Sequence, residues 1–285
     1  MRLFLLTALT MYAFAANSVL NRLAIQGGWI GPFGFAAIRL ASGAAALALL
    51  ALARGRGLSF GGRRRMLGAA MLLTYMLGFS LAYLALPAGV GALILFGGVQ
   101  VTMFAGALLS GESLPPQRWL GAGLALAGLG WLLWPTAGGG GAALLPALSM
   151  AAAAVGWGIY SLAGRREGDA LAATAANFVL AAPIAVAVAL AETSGGALPS
   201  GPGVALALLS GIVTSGLGYA LWYAVLPELG AGRAAVAQLT VPVIAALGGA
   251  ALLGETPGLR FALASVLVLG GVGLAAMRPA RRAAG

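Results

Sequence analysis

Residues 78–87 read GFSLAYLALP and residues 218–227 read GYALWYAVLP, five identities in ten positions at an offset of 140. Each segment closes an apolar run at a proline, Pro87 or Pro227. Further correspondences lie on both sides at an offset of 143. Arg22 returns as Arg165, Gly111-Glu112 as Gly254-Glu255, and Gly128 and Gly130 as Gly271 and Gly273. The chain therefore reads as two similar halves: residues 1–135, a glycine-rich linker at 136–141, and residues 142–285 with a basic C-terminal tail.

The runs around these segments have one length. A hydrocarbon layer about 30 Å thick needs about 20 apolar residues of helix. Apolar runs of that order predict helices at 3–25, 31–53, 66–86, 89–110, 117–134, 142–163, 170–191, 203–225, 231–253 and 258–277. Of the 285 residues, 61% are hydrophobic and 8% charged, and the mean hydropathy is +1.00. A water-soluble chain could not cover such a core with so little polar surface. The first run carries Asn17, Asn21 and Arg22 without a small-residue cleavage site, so it is read as a retained helix rather than a signal peptide.

Ten spans put both termini on one face, and the arginines test that count. Every basic residue is arginine; thirteen fall on the face of the termini, while the opposite face receives only Arg22 and Arg260. Because cytoplasmic loops keep positive charge, both termini are expected in the cytoplasm. The excess of +10 is thus a topological signal and not a nucleic-acid footprint. Five spans per half is an odd number, so corresponding helices must cross in opposite directions. The expected fold is all-α, with ten transmembrane helices arranged as two inverted-topology five-helix repeats. That is a recurrent architecture of secondary transporters, with the substrate held near the midplane between the repeats.

These features resemble the EamA type of the drug/metabolite transporter superfamily: two five-helix units, a Gly-Glu pair after the fourth span of each, and a glycine-rich fifth span. Within it the chain is most similar to YddG-type exporters of aromatic and neutral amino acids. The resemblance implies a multi-pass carrier of a bacterial-type inner membrane, a monomer with a small-molecule substrate. It also implies a central cavity lined by the first four helices of each half, with the fifth and tenth helices peripheral. It implies no cofactor and no metal.

Candidate site residues follow from helical spacing. On the first span Thr10, Phe14, Asn17 and Asn21 share a sector of about 60°, and Trp157, Tyr160 and Gly164 repeat the last three positions on the sixth. Such polar groups either face a cavity or hydrogen-bond between helices. Tyr75, Phe79 and Tyr83 on the third span and Ser215, Tyr219, Trp222 and Tyr223 on the eighth form two aromatic faces. These serve as cavity walls, as core, or, for Tyr83 and Tyr223, as interfacial belt. Gln100 and Gln238 are amides in apolar surroundings, near the helix interruptions at Gly97-Gly98 and Pro242. Arg39 lies well inside the second span, as an attractor for a carboxylate or as a structural arginine. Glu112 and Glu255, at span ends, are expected to be hinge or loop anchors.

All six acidic residues fall in loops or at span ends, and the chain has neither histidine nor cysteine. No midplane proton relay and no hydrolytic constellation can be assembled from what remains. The expectation is a facilitator driven by the substrate gradient, or a carrier coupled through a less obvious group, with a neutral cavity suited to a zwitterion; the alternatives are an exporter of another metabolite or drug class and a receptor or scaffold.

Overall fold

The structure, a computed structural model, describes residues 1–112, 114–134, 144–164, 167–193 and 198–276. The expected linker at 136–141, Arg165 with its counterpart relation to Arg22, and the basic tail lie outside the described residues. Those described form helices throughout: α1 (Arg2–Gln26), α2 (Pro32–Ala53), α3 (Arg63–Ala82), α4 (Ala88–Leu109), α5 (Pro116–Leu133), α6 (Leu144–Gly164), α7 (Ala170–Thr193), α8 (Gly201–Gly230), α9 (Arg233–Leu253) and α10 (Leu259–Ala276). Among the described residues nine of the ten are long and apolar enough to span a bilayer. The exception is α5, which opens on Pro116-Gln117-Arg118 and so dilutes its own hydropathy.

Three boundaries differ from the sequence reading. The third helix stops at Ala82, and Tyr83 to Leu86 make a turn ahead of Pro87, which disfavours helix in the residue before it. The eighth helix runs past Pro227 to Gly230, whose φ of 69° breaks it from α9. Inside α8, Ser210–Leu217 is wound as a π-helix, an arrangement that hydropathy does not reveal.

Loops gather on two faces. On one, Arg56 of the α2–α3 connection bonds Asp169 at 2.6 Å, and Arg65 bonds Glu167 at 3.2 Å. On the other, Glu192 accepts the Gly34 amide, Ser200 bonds the Trp29 carbonyl, and Arg22 meets Glu255. That grouping is the one ten crossings require.

Packing pairs helices across the two halves: α2 with α7, α3 with α6, α5 with α10, and α4 with α6 as α1 with α9. In the α5–α10 pair, a Cβ at Gly121 would strike the Gly271 carbonyl, and one at Gly271 the Gly121 carbonyl, so the backbones touch directly. This pair buries little else and shows Trp119, Trp131, Leu263 and Val266 outward, a peripheral position facing lipid. Gly111 and Gly254 both have positive φ, 73° and 67°. Each lets its helix end in the left-handed turn that sets the following glutamate, which is the physical content of the repeated Gly-Glu pair.

Candidate functional site

Between the halves lies a cavity lined by Phe14 and Asn17 of α1, Tyr75 and Phe79 of α3, Leu95 and Phe96 of α4, Trp157 of α6 and Tyr219 of α8. The rings form one continuous array. Trp157 sits 5.0 Å from Tyr75 and 5.1 Å from Tyr219, and Phe14 meets Tyr219 and Trp222 edge-on, at 5.7 Å each. These spacings are those of favourable aromatic pairs. The space left among the rings is about 10 Å³, room for about one water molecule in this state.

A second, small pocket lies towards the arginine-rich face, lined by Tyr160, Thr174, Asn177, Tyr223 and Glu167 among others. Trp157 and Tyr160, stacked with centroids 5.4 Å apart, stand between the two pockets. Tyr160 is held from behind by Thr174, at 3.1 Å. Here Arg65 donates to the Ala173 carbonyl, Asn177 and Glu167, tying α3 to α7.

Towards the opposite face the path is sealed. Asn21 donates to Ser80 at 2.8 Å. Beyond it, Arg22 bonds Glu255 at 3.2 Å and the Tyr83 carbonyl at 2.8 Å, while Glu255 also accepts the Ala88 amide at 2.8 Å. This cluster joins α1, the α3–α4 turn and the end of α9, elements of both halves.

Polar groups at the cavity belong to an inter-half network. The Asn17 side-chain oxygen accepts from Ser210 at 2.7 Å, Thr214 at 2.6 Å and Ser215 at 3.3 Å, and its amide donates to the Thr214 carbonyl at 3.2 Å. The π-turn makes this possible, since Ser210, Thr214 and Ser215 all reach one acceptor. Arg39 is fully buried; its Nε donates to Ser215 at 2.8 Å and one terminal nitrogen to Tyr75 at 3.0 Å. Its other terminal nitrogen has no hydrogen-bond partner among the described residues. The guanidinium carbon lies 5.0 Å from the Phe79 ring centre and 5.5 Å from that of Tyr75, so two cavity-lining rings separate the charge from the cavity. The neutral lining expected from the sequence is thus backed by a full positive charge.

Of the sequence candidates, Phe14, Asn17, Tyr75, Phe79, Trp157 and Tyr219 meet at the central cavity, and Tyr160 and Tyr223 at the second pocket. Trp222 packs on Phe14, and Tyr83 packs on Phe79 at 4.8 Å. Asn21 and Glu255 sit in the seal. Gln100 and Gln238, both half-buried, line neither pocket. Gly97 packs against Val268 and Gly98 against Ala154, as helix contacts, and Pro242 is buried three residues after a turn at Leu239 that interrupts α9. Glu112 is exposed, 4.0 Å from Arg118. Ser210, Thr214, Leu95 and Phe96 were missed: apolar residues and small hydroxyls are common throughout apolar spans, and nothing in the spacing of the hydroxyls marks a π-turn.

Residues 144–277 match the EamA-like transporter family. Over 275 residues, 96% of this chain and 94% of the relative, the sequence is 48% identical to an uncharacterized protein of Pseudomonas aeruginosa. The chain is a member of the EamA-like transporter family. A more distant relative is the aromatic amino acid exporter YddG of Ancylobacter novellus, 30% identical, with 94% of this chain and 96% of that protein covered. A solved crystal structure superimposes with a TM-score of 0.66 at 25% identity over 94% of this chain and 96% of that one. As an EamA-like transporter it is a multi-pass membrane carrier of a small molecule and not an enzyme.

Proposed function

We propose that this transporter exports or equilibrates amino acids, aromatic ones included, by alternating access at the cavity between two inverted repeats. The observation that carries this reading is the aromatic array of Phe14, Tyr75, Phe79, Trp157 and Tyr219, drawn from both halves. It offers flat apolar contact to a ring, with hydroxyl tips around it. The cross-half packing of α1 with α9 and of α4 with α6 supports the repeat, and the relative named as an aromatic amino acid exporter supports the substrate class. In this state the cavity is too small for any amino acid. Loading therefore needs the halves to part, at the Trp157–Tyr160 stack on one side and the Arg22–Glu255 seal on the other. The arginine-rich face with both termini is the cytoplasmic one, in a bacterial-type inner membrane.

Energy coupling follows from chemistry. None of the six acidic residues lines the central cavity, and the chain has no histidine. With neither a carboxylate nor an imidazole at the cavity, we read movement as following the substrate gradient. The test is counterflow of radiolabelled aromatic and small neutral amino acids in liposomes holding the purified protein, with and without a pH gradient. Exchange that ignores the gradient is expected. Absence of exchange by folded protein refutes the amino-acid reading and turns attention to other metabolites or to a receptor role.

A further inference from the structure

We propose that the central cavity selects its substrate by a carboxylate, drawn by the field of Arg39, and leaves an ammonium group optional. The substrate class would then be aromatic carboxylates at large, with amino acids one kind among them. This rests on the cavity being the substrate site, as above.

Four observations on charge lead there. Arg39 is wholly buried, its described hydrogen-bond partners are the neutral hydroxyls of Ser215 and Tyr75, and one of its terminal nitrogens has none. None of the ion pairs among the described residues includes it. A cation left so in a membrane interior is expensive, and ring faces offset only part of the cost. An anion in the cavity, across the Tyr75 and Phe79 rings from it, recovers part of the remainder.

Position carries the second step. Tyr75 and Phe79 each touch the guanidinium on one side and the cavity on the other. The Tyr75 oxygen accepts from Arg39 at 3.0 Å and from the Tyr219 hydroxyl at 3.5 Å, which leaves its own O–H to donate to a substrate carboxylate. That is a charge-assisted relay, stronger than a neutral hydrogen bond.

An ammonium finds no such reception. No carboxylate lines the cavity, and the one amide oxygen there, that of Asn17, is already filled by Ser210, Thr214 and Ser215. Two of the rings that could hold a cation by their faces already lie against Arg39, whose like charge repels it.

The test uses wild-type protein in liposomes, with counterflow of labelled phenylalanine against three competitors: phenylalanine, 3-phenylpropionate lacking the ammonium, and phenethylamine lacking the carboxylate. Phenylpropionate should compete within a few-fold of phenylalanine, and phenethylamine about tenfold more weakly or worse. An amine that competes as well as the amino acid, or a phenylpropionate that does not compete, overturns the proposal. If phenylalanine shows no counterflow, the same three compounds are scored by thermal shift of the purified protein. Stabilisation by phenylpropionate and not by phenethylamine then upholds carboxylate selection while the amino-acid reading fails; any other pattern overturns both. Arg39→Lys should keep the carboxylate preference and Arg39→Gln should erase it. A merely structural arginine would lower activity without moving that ratio.

Discussion

Replacing Glu255 by glutamine should unlock the face opposite the arginine-rich one. In the native protein the carboxylate bonds Arg22 at 3.2 Å and the Ala88 amide at 2.8 Å, with only 14% and 12% of the Arg22 and Glu255 side chains exposed. Glutamine can still accept from Ala88, so the substitution removes chiefly the charge. Breaking a fully buried pair costs about 3–5 kcal/mol, and an exposed pair contributes about 0–1 kcal/mol. At this partial burial about 2 kcal/mol is the reasonable figure. The pair joins the two halves, so a state open to that face must break it, and its loss favours that state by a factor of about 30. The native chain has no cysteine, so a single Ser80→Cys, just inside the seal, reports opening without background. Labelling by a membrane-impermeant maleimide applied to that face should accelerate about 30-fold in Glu255→Gln on this estimate. Arg22→Gln should act alike, and the double variant should gain little more, since both remove one interaction. A labelling rate unchanged or slowed by Glu255→Gln would refute the assignment of this cluster as a gate.

Four further outcomes are expected. Asn17→Ala strands the hydroxyls of Ser210, Thr214 and Ser215 around the π-turn; a loss of about 2 kcal/mol, after partial rescue by backbone carbonyls, should appear as a lower thermal unfolding temperature in detergent. Gly211→Ala sets a Cβ against Ser42 and the Arg39 carbonyl, forcing α2 from α8, so that unfolding should move by about 1–3 kcal/mol in the same assay. Trp157→Ala removes the ring shared by Tyr75 and Tyr219; half-saturation for an aromatic amino acid should rise about tenfold in counterflow, with less change for alanine. Burial pushes the Asp169 carboxyl up, but bonds from Arg56 and the Ala172 amide outweigh it and hold it below the ordinary carboxylate value. A depressed folded value means that its contribution is present above the unfolded value and is lost as pH falls through the folded one. Asp169→Asn should therefore flatten the acid limb of the thermal stability profile below the usual carboxylate range.

How much was legible in the sequence follows from what each signal measures. Hydropathy and proline and glycine punctuation found the ten helices, because a bilayer demands a set length of apolar chain whatever its neighbours. The arginine partition grouped the loops as the contacts between them do. The offset of 143 picked out the Gly-Glu pairs, since a left-handed helix end requires glycine locally, and both glycines have positive φ. Helical spacing also put Phe14 with Asn17 and Tyr75 with Phe79.

Only the tertiary structure decided what those faces meet. Spacing gives an angle around one helix and says nothing of the helix opposite. Gln100 and Gln238 therefore looked as promising as Asn17, yet they line neither pocket, while Asn17 has its oxygen filled from α8. The π-turn of α8 depends on packing against α1 and α2 at Gly211 and Ser215, and leaves no periodic trace. Arg22 and Glu255 are 233 positions apart, and Arg39 and Ser215 are 176 apart. Lone charges in a sequence become an ion pair between the halves, or a buried cation without one, only when distant helices are brought side by side, because an ion pair or its absence belongs to two surfaces.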